Sequence, residues 1–226
     1  MARRRAQVRQ AQVQQGRRAR VVALDPVRKL VPRERRRAQI LDVAAGLFSQ
    51  RGFAGTTTRQ IAAAVGTSET VLFRHFPTKD SLYAAILEHW APAADVDRWI
   101  DGLRVIADRR DDDALFRAVV TAILESYRTD TVYHRLMLFA ALEDHELARL
   151  AHVKLTTPLT SFLREYVARR QAEGAFKRMR PEIVVHMLLS VASQHAQWSA
   201  LGVNPLGLSD QDVARQAVGL LTALRT

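Results

Sequence analysis

Residues 52–87, GFAGTTTRQIAAAVGTSETVLFRHFPTKDSLYAAIL, constrain the fold of this chain more than any other segment. They contain two short helical patterns joined by only three residues, 66–68, and Pro77 ends the second pattern. A threonine at 56–58 can cap the first helix, Gly66 can end it in the left-handed conformation, and Thr67 or Ser68 can cap the second. The spacing therefore predicts two helices that meet at the sharp angle of a helix-turn-helix unit.

The second helix has an unusual outer face. Val71, Leu72 and Phe76 fit one buried side, which leaves a polar and aromatic set pointing at least partly outward: Glu69, Thr70, Phe73, Arg74 and His75. Such side chains contribute little to a core, but they suit the edges of base pairs. Arg74 can contact guanine, Glu69 can accept from a cytosine amino group, and Phe73 can touch a thymine methyl group or the backbone. The pattern predicts a helix that lies in the major groove of DNA.

The helices on either side of this unit carry cations near their N-termini. Residues 34–51 form an amphipathic helix whose first turns hold Arg35 and Arg36, and Thr78 precedes a helix whose first turn holds Lys79. The helix dipole disfavours a cation at these positions, and a bound phosphate removes the conflict. We expect all three side chains to contact phosphates. The alternative for Lys79 is a solvated side chain balanced by Asp80.

Residues 40–87 resemble the tetracycline-repressor (TetR/AcrR-like) family of transcriptional regulators. The matching patterns are Phe-x-x-x-Gly-Phe at the end of the first helix, Thr-Thr-x-x-x-Ile-Ala in the second, and Leu-aromatic-x-His-Phe-x-x-Lys-x-x-Leu across the next two. The resemblance covers about a fifth of the chain.

The resemblance implies roles for individual side chains. Phosphate contacts fall on Thr57, Thr58, Phe73 and Lys79. Base-facing positions fall on Arg59, Glu69, Thr70, Arg74 and His75. The family usually has tyrosine at the position of Phe73, whose ring lacks the hydroxyl that donates to a phosphate.

The positive charge of the chain lies in an N-terminal arm. The net charge is +11, and residues 1–37 carry 13 Lys and Arg against Asp25 and Glu34, while the remainder is balanced. Residues 1–33 lack aromatic side chains, which predicts disorder. Beside a DNA reader this basic arm would follow the backbone or enter the minor groove. An inert solubilising tail and a misassigned start codon are the alternatives, and the arm alone would also suit RNA or an acidic membrane.

The composition predicts an all-α protein without cysteine chemistry. Cysteine is absent, Gly and Pro are sparse, and no run approaches 18 apolar residues, so we expect a cytoplasmic protein with no membrane partner. We divide the chain into the arm (1–33), a three-helix helix-turn-helix DNA-binding domain (34–80) and a larger helical-bundle ligand-binding and dimerisation domain (81–226). The helices that follow residue 77 are predicted at 78–91, 95–108, 112–128, 131–144, 145–173, 181–201 and 209–225, with a kink or break at Pro158.

Two features of the helical bundle suggest partners. The last two helices have broad apolar stripes, and the family implies that they form a four-helix interface in a homodimer; the residues concerned are Met187, Leu188, Val191, Val213, Ala217, Leu220, Leu221 and Leu224. The middle helices carry large side chains that would line an effector pocket: Trp90, Trp99, Phe116, Tyr127, Tyr133, His134, Met137 and His152.

No constellation for catalysis, metal binding or a cofactor is present in the sequence. Residues 143–146, Glu-Asp-His-Glu, are interpreted as a solvated helix junction. Together with the resemblance, the patterns predict a non-enzymatic, ligand-responsive transcriptional repressor that binds a pseudo-palindromic operator as a homodimer and is released by a small-molecule effector. The alternative is an effector-independent or rather non-specific DNA-binding protein dominated by its basic arm.

Overall fold

The computed structural model describes residues 32–90 and 93–222, and within them it contains eleven α-helices. They are α1 Pro32–Arg51, α2 Thr58–Val65, α3 Glu69–His75, α4 Lys79–Trp90, α5 Ala93–Asp108, α6 Asp112–Thr129, α7 Thr131–Leu142, α8 Glu146–Ala151, α9 Thr157–Ala172, α10 Pro181–Ala200 and α11 Asp210–Thr222. The predicted all-α class is confirmed.

Helices α2 and α3 begin and end at the expected capping residues. Of the three candidate threonines, Thr57 caps α2, because its side chain accepts from the Gln60 amide and the Gln60 side chain accepts from the Thr57 amide. Gly66 ends α2 with φ 72°, and the Ser68 side chain caps α3. These local bonds fix the angle between α2 and α3.

Pro158 interrupts the predicted helix 145–173 in a particular way. Residues His152–Thr156 form a π-helical turn between α8 and α9, so the hydrogen-bonded turn contains one more residue than in an α-helix. Proline has no amide hydrogen to donate to the carbonyl four residues earlier, and its ring crowds that carbonyl. A wider turn relieves both conflicts.

The buried side chains form two separate cores. One core joins α1, α2 and α3 to α4, and it also includes Leu136 and Ala140 of α7 and Leu147 and Ala151 of α8. The other core joins α5, α6, α9, α10 and α11. Helices α7 and α8 therefore pack against α1–α4, although residues 91–130 lie between them in the sequence. The domain boundary at residues 80 and 81 stays a prediction.

A buried ion-pair network ties the start of α6 to the end of α9. Asp112 is 2% exposed and accepts from the Tyr166 hydroxyl and from two nitrogens of Arg170, at 2.9 and 3.0 Å. Hydrogen bonding to Asp112 raises the pKa of Arg170, and burial raises the pKa of Tyr166. In the part of the chain that is described, no helix is long and apolar enough to cross a membrane.

Candidate nucleic-acid interface

The recognition helix α3 presents the side chains that the sequence predicted. Leu72 and Phe76 are buried beneath it, while Thr70, Phe73 and Arg74 are exposed on its outer face. Phe73 is 41% exposed. Glu69 and His75, at the two ends of the helix, are half-buried.

The N-terminal ends of α2 and α3 are linked by a hydrogen bond. The Thr58 hydroxyl donates to Glu69 Oε1 at 2.6 Å, so each of these two predicted contacts already has a partner. Thr57 differs, because its oxygen accepts from the Gln60 amide at 3.2 Å and its hydroxyl hydrogen can still be donated to a phosphate. Arg59 follows in the first turn of α2 and is exposed.

Lys79 lies at the start of α4 with its ammonium group over an aromatic ring. Its Nζ is 4.1 Å from the centroid of Phe53, and its side chain is half-buried. Burial lowers the pKa of Lys79, and the charges of Asp80 and Glu143 oppose that shift. This lysine is therefore held in place rather than extended into solvent.

Arginines of α1 reach the C-terminal end of the recognition helix. The Arg37 guanidinium lies 5.0 Å from the centroid of the Phe76 ring. Burial lowers the pKa of His75, and the charges of Arg33, Arg37 and Arg36 lower it further, so these cations lie close to the imidazole. Arg35 and Arg36 are exposed.

Besides the predicted Arg35 and Arg36, the structure brings Arg33 and Arg37 close to α3. Their proximity depends on how α1 crosses α3, which no local sequence pattern contains. The α1 arginines therefore lie beside the exposed side chains of α3, and we call this predicted contact surface the DNA face. It comprises Arg33, Arg35, Arg36, Arg37, Thr57, Arg59, Thr70, Phe73, Arg74, His75 and Lys79.

The eight side chains proposed for an effector pocket do not surround one cavity. Phe116 is fully buried, and Trp99 and Tyr127 pack beside it on the second core, whereas Trp90, Tyr133 and Met137 pack on the core of the reader. The His134 ring stacks on Tyr127 at 3.5 Å and bridges the two groups. As ligand contacts these residues stay predictions.

A groove lies elsewhere, between the π-turn with α9 and the facing side of α10. Its volume is about 510 Å³, and His152 is the one residue of the predicted set that lines it. The other lining residues are Thr156, Thr160, Ser161, Arg164, Glu182, Val185, His186, Leu189, Ser190 and Ser193.

The predicted dimer residues divide into exposed and buried groups. Leu188, Val213, Ala217 and Leu221 are at most 5% exposed within this single chain, because they pack α10 and α11 into the second core. Met187 and Val191 are exposed. The side chain of Leu220 and all of Leu224 lie outside the described residues, as does the arm up to residue 31.

The exposed apolar side chains of α10 continue beyond the predicted pair. Ile183, Met187, Val191 and Trp198 are 41–46% exposed and recur along one side of the helix. The exposed side chains of α11 whose placement is described are polar: Gln211, Arg215 and Gln216. Among the described side chains of these two helices, the exposed apolar surface lies on α10.

The helix junction at residues 143–146 is solvated as expected, since Glu143, Asp144 and Glu146 are exposed. It also makes tertiary contacts: Glu143 accepts from the backbone amides of Phe53 and Ala54, and the His145 ring packs on Phe53 and Tyr83. These contacts form because α7 packs on the core of α1–α4 and brings its C-terminal end against the α1–α2 turn.

Comparison with known proteins agrees with this geometry. Residues 40–86 match the model of the bacterial regulatory proteins, tetR family. The transcriptional activator FasR of Mycolicibacterium smegmatis is 32% identical over 108 residues, which is 47% of each chain. The transcriptional regulator RutR of Escherichia coli is 28% identical over 163 residues, covering 71% of this chain and 73% of RutR.

The likeness in fold extends beyond the reader. The crystal structure of AibR in complex with isovaleryl coenzyme A and operator DNA superposes with a TM-score of 0.61 at 22% identity, covering 83% of this chain and 98% of AibR. The match to FasR spans only about half of that relative's length. The family is one of regulatory proteins rather than enzymes. With the family's sequence pattern on a helix-turn-helix unit, and a helical bundle behind it of the same overall fold, residues 40–86 of this chain carry the N-terminal domain of the tetR family of bacterial regulatory proteins.

Proposed function

We propose that this chain is a transcriptional repressor of the cytoplasm that binds a pseudo-palindromic operator as a homodimer and is released by a small-molecule effector. The observation that carries the proposal is the DNA face, where an exposed phenylalanine and arginine on α3 lie between cations of α1 and α4. One module of this size buries too little surface for tight specific binding, and a two-fold dimer reads two half-sites about 34 Å apart.

The roles of Arg74 and Lys79 can be separated by operator binding. We expect Arg74→Ala to relax the preference at one base position, because the loss of a bidentate contact costs about 1–3 kcal/mol at that position. Lys79→Ala should weaken binding to all sequences alike and lower the slope of log K against log salt by about 1. Selection of duplexes from a random library, followed by titration at several salt concentrations, measures both. An unchanged sequence preference in Arg74→Ala would show that this residue does not read bases.

Deletion of residues 1–31 separates the repressor from the arm-dominated alternative. We expect the shortened chain to bind the same operator more weakly and with a smaller salt slope, since fewer phosphates are neutralised. If the deletion abolishes binding, the arm is the main contact and the alternative function is correct.

The effector is proposed to bind in the groove between the π-turn, α9 and α10. The volume lies in the range of small-molecule sites, and π-turns inside helices are frequent at functional sites. Glu182 in the groove pairs with Arg180, whereas Arg164 makes no ion pair with any described residue. An effector with a negative charge fits this imbalance. AibR, which shares the fold, binds an acyl-coenzyme A.

The effector proposal is tested with isovaleryl coenzyme A as the probe. We expect it to release the protein from operator DNA in a fluorescence anisotropy titration, and we expect Arg164→Ala to lose this response while it still binds DNA. Arg98→Ala is the matched control, because Arg98 is an exposed arginine of α5 that does not line the groove. Equal responses of the two variants would place the effector elsewhere.

A further inference from the structure

The C-terminal end of α7 is hydrogen-bonded to the turn between α1 and α2. Glu143 Oε2 accepts from the Phe53 amide at 2.8 Å, and Glu143 Oε1 accepts from the Ala54 amide at 3.2 Å. Two successive backbone amides that point at one carboxylate form a charge-assisted pair of hydrogen bonds, which are stronger than neutral ones. A second contact lies nearby, where Arg135 of α7 donates to the Ser49 carbonyl at 3.0 Å.

The turn leaves room for this carboxylate only because of Gly52. The residue has φ 73°, and a Cβ atom there would lie 2.2 Å from Glu143 Oε1. The glycine of the Phe-x-x-x-Gly-Phe pattern therefore has a partner on α7. The turn continues through Thr56, whose hydroxyl donates to the Gly52 carbonyl at 2.9 Å, to the cap of α2 at Thr57.

The same corner also holds the start of α4. The Phe53 ring lies under the Lys79 ammonium and beside the His145 ring, whose centroid is 4.3 Å away. His145 Nδ1 accepts from the Leu147 amide, so Nε2 carries the hydrogen and faces Asp80 Oδ1 at 3.5 Å. Glu143 thus supports two proposed phosphate contacts of the DNA face. It holds the turn that leads to Thr57, and it holds Phe53, whose ring lies under the ammonium group of Lys79.

We propose that Glu143 is a positioning residue for DNA binding, which sets the α1–α2 turn and Lys79 at the spacing that two phosphates require. Glu143 is not proposed to contact DNA itself, because an acidic group repels phosphates. It acts through the Phe53 and Ala54 amides and the Phe53 ring. The inference rests on the proposed function, in which the DNA face binds an operator.

The test is operator binding by Glu143→Gln in the full chain. In glutamine one of the two acceptor oxygens is replaced by an NH2 group, which cannot accept from the backbone amide that it faces. We therefore expect affinity for all duplexes to fall by about fivefold, as for a modest coupling between sites. A purely electrostatic effect has the opposite sign, since removal of a negative charge near phosphates strengthens binding. Unchanged or tighter binding would therefore overturn the proposal. Glu146→Gln removes a neighbouring charge that pairs with Arg149 alone, and it serves as the matched control.

Two further measurements separate positioning from a loss of fold and from a failure of the proposed function. In a Lys79→Ala background we expect Glu143→Gln to lose much of its effect, whereas a general loss of stability would act equally in both backgrounds. Hydrogen exchange at the Phe53 and Ala54 amides, measured without DNA, should be faster in Glu143→Gln than in Glu146→Gln. Equal exchange rates in the two variants would show that Glu143 does not protect these amides, and would overturn the proposal. If the unmodified chain prefers no duplex, the proposed function fails while the exchange result still stands.

Discussion

Gly52 and Gly66 adopt nearly the same left-handed backbone but have different surroundings. A Cβ atom at Gly52 would meet Glu143 Oε1 and, at 3.1 Å, Phe139 Cδ1, while a Cβ atom at Gly66 would have nothing within 4 Å. We expect Gly66→Ala to lower the free energy of unfolding by about 1 kcal/mol from backbone strain alone. Gly52→Ala should cost about 2–3 kcal/mol, because it also displaces a hydrogen-bonded carboxylate. Urea unfolding of both variants measures the difference, and equal costs would contradict it.

His134 makes the stability of the fold depend on pH. Burial lowers the pKa of His134 to about 4, and its Nε2 hydrogen is donated to Ser126 Oγ, which itself donates to the Ile123 carbonyl. Protonation therefore favours the unfolded chain, whose histidine titrates near 6.5. The stabilising effect of neutral His134 is complete above about pH 6.5 and is lost as the pH falls towards 4.

We expect His134→Phe, which keeps a ring on Tyr127, to remove part of this pH dependence. Between pH 7 and 5 the free energy of unfolding of the unmodified chain should fall by about 2 kcal/mol more than that of the variant. Urea unfolding at the two pH values gives both differences. Parallel losses in the two proteins would show that other groups cause the acid sensitivity.

At the scale of single residues, the sequence predicted the exposed side chains of α3 but not their partners. Local spacing places Phe73 and Arg74 on the outer face, since it depends only on the helical period. The bond between Thr58 and Glu69, and the position of Arg37 over Phe76, depend on the angles between helices. Those angles arise from packing across the core, which no local pattern contains.

Among the helices, α6 and α9 are joined by a buried carboxylate in addition to their shared core. Removal of the charge of Asp112 leaves the Arg170 guanidinium partly buried without its main partner. We expect Asp112→Asn to lower the free energy of unfolding by about 3 kcal/mol, as for other buried pairs that lose one member. Asp101→Asn is the control, because its pair with Arg104 is exposed and is worth less than about 1 kcal/mol. Thermal unfolding of the two variants compares these costs, and a similar shift in both would refute the assignment.

Helix boundaries were predicted more completely than helix partners. Caps, Gly66 and Pro181 mark the ends of helices by local chemistry, and the structure has helices close to all the predicted spans. A kink or break at Pro158 was expected, but the π-turn was not, because a proline inside a helix is compatible with either a kink or a π-turn. The return of α7 to the reader was missed because Leu136 and Ala140 have no sequence feature that separates one core from the other.

For the whole molecule, the apolar side of α10 provides a test of self-association. We expect Met187→Glu to place a charge inside the interface of the proposed homodimer and to give a monomer in sedimentation. Its operator affinity should fall by at least about 100-fold, because binding at the second half-site is no longer intramolecular. Val105→Glu is the matched control, since Val105 is an equally exposed apolar residue on α5. A dimeric Met187→Glu would locate the interface on another surface.

The shared core of α1–α4, α7 and α8 has a consequence for engineering new specificities. A hybrid regulator is most simply made by exchange of the N-terminal segment alone, with the join placed just before or within α4. Here such a join would leave Leu136, Ala140 and Leu147 facing side chains selected for another protein, and it would separate Glu143 from its glycine. A successful transplant should carry residues 130–151 together with the donor's reader, so that two distant segments of the gene are inherited as one module.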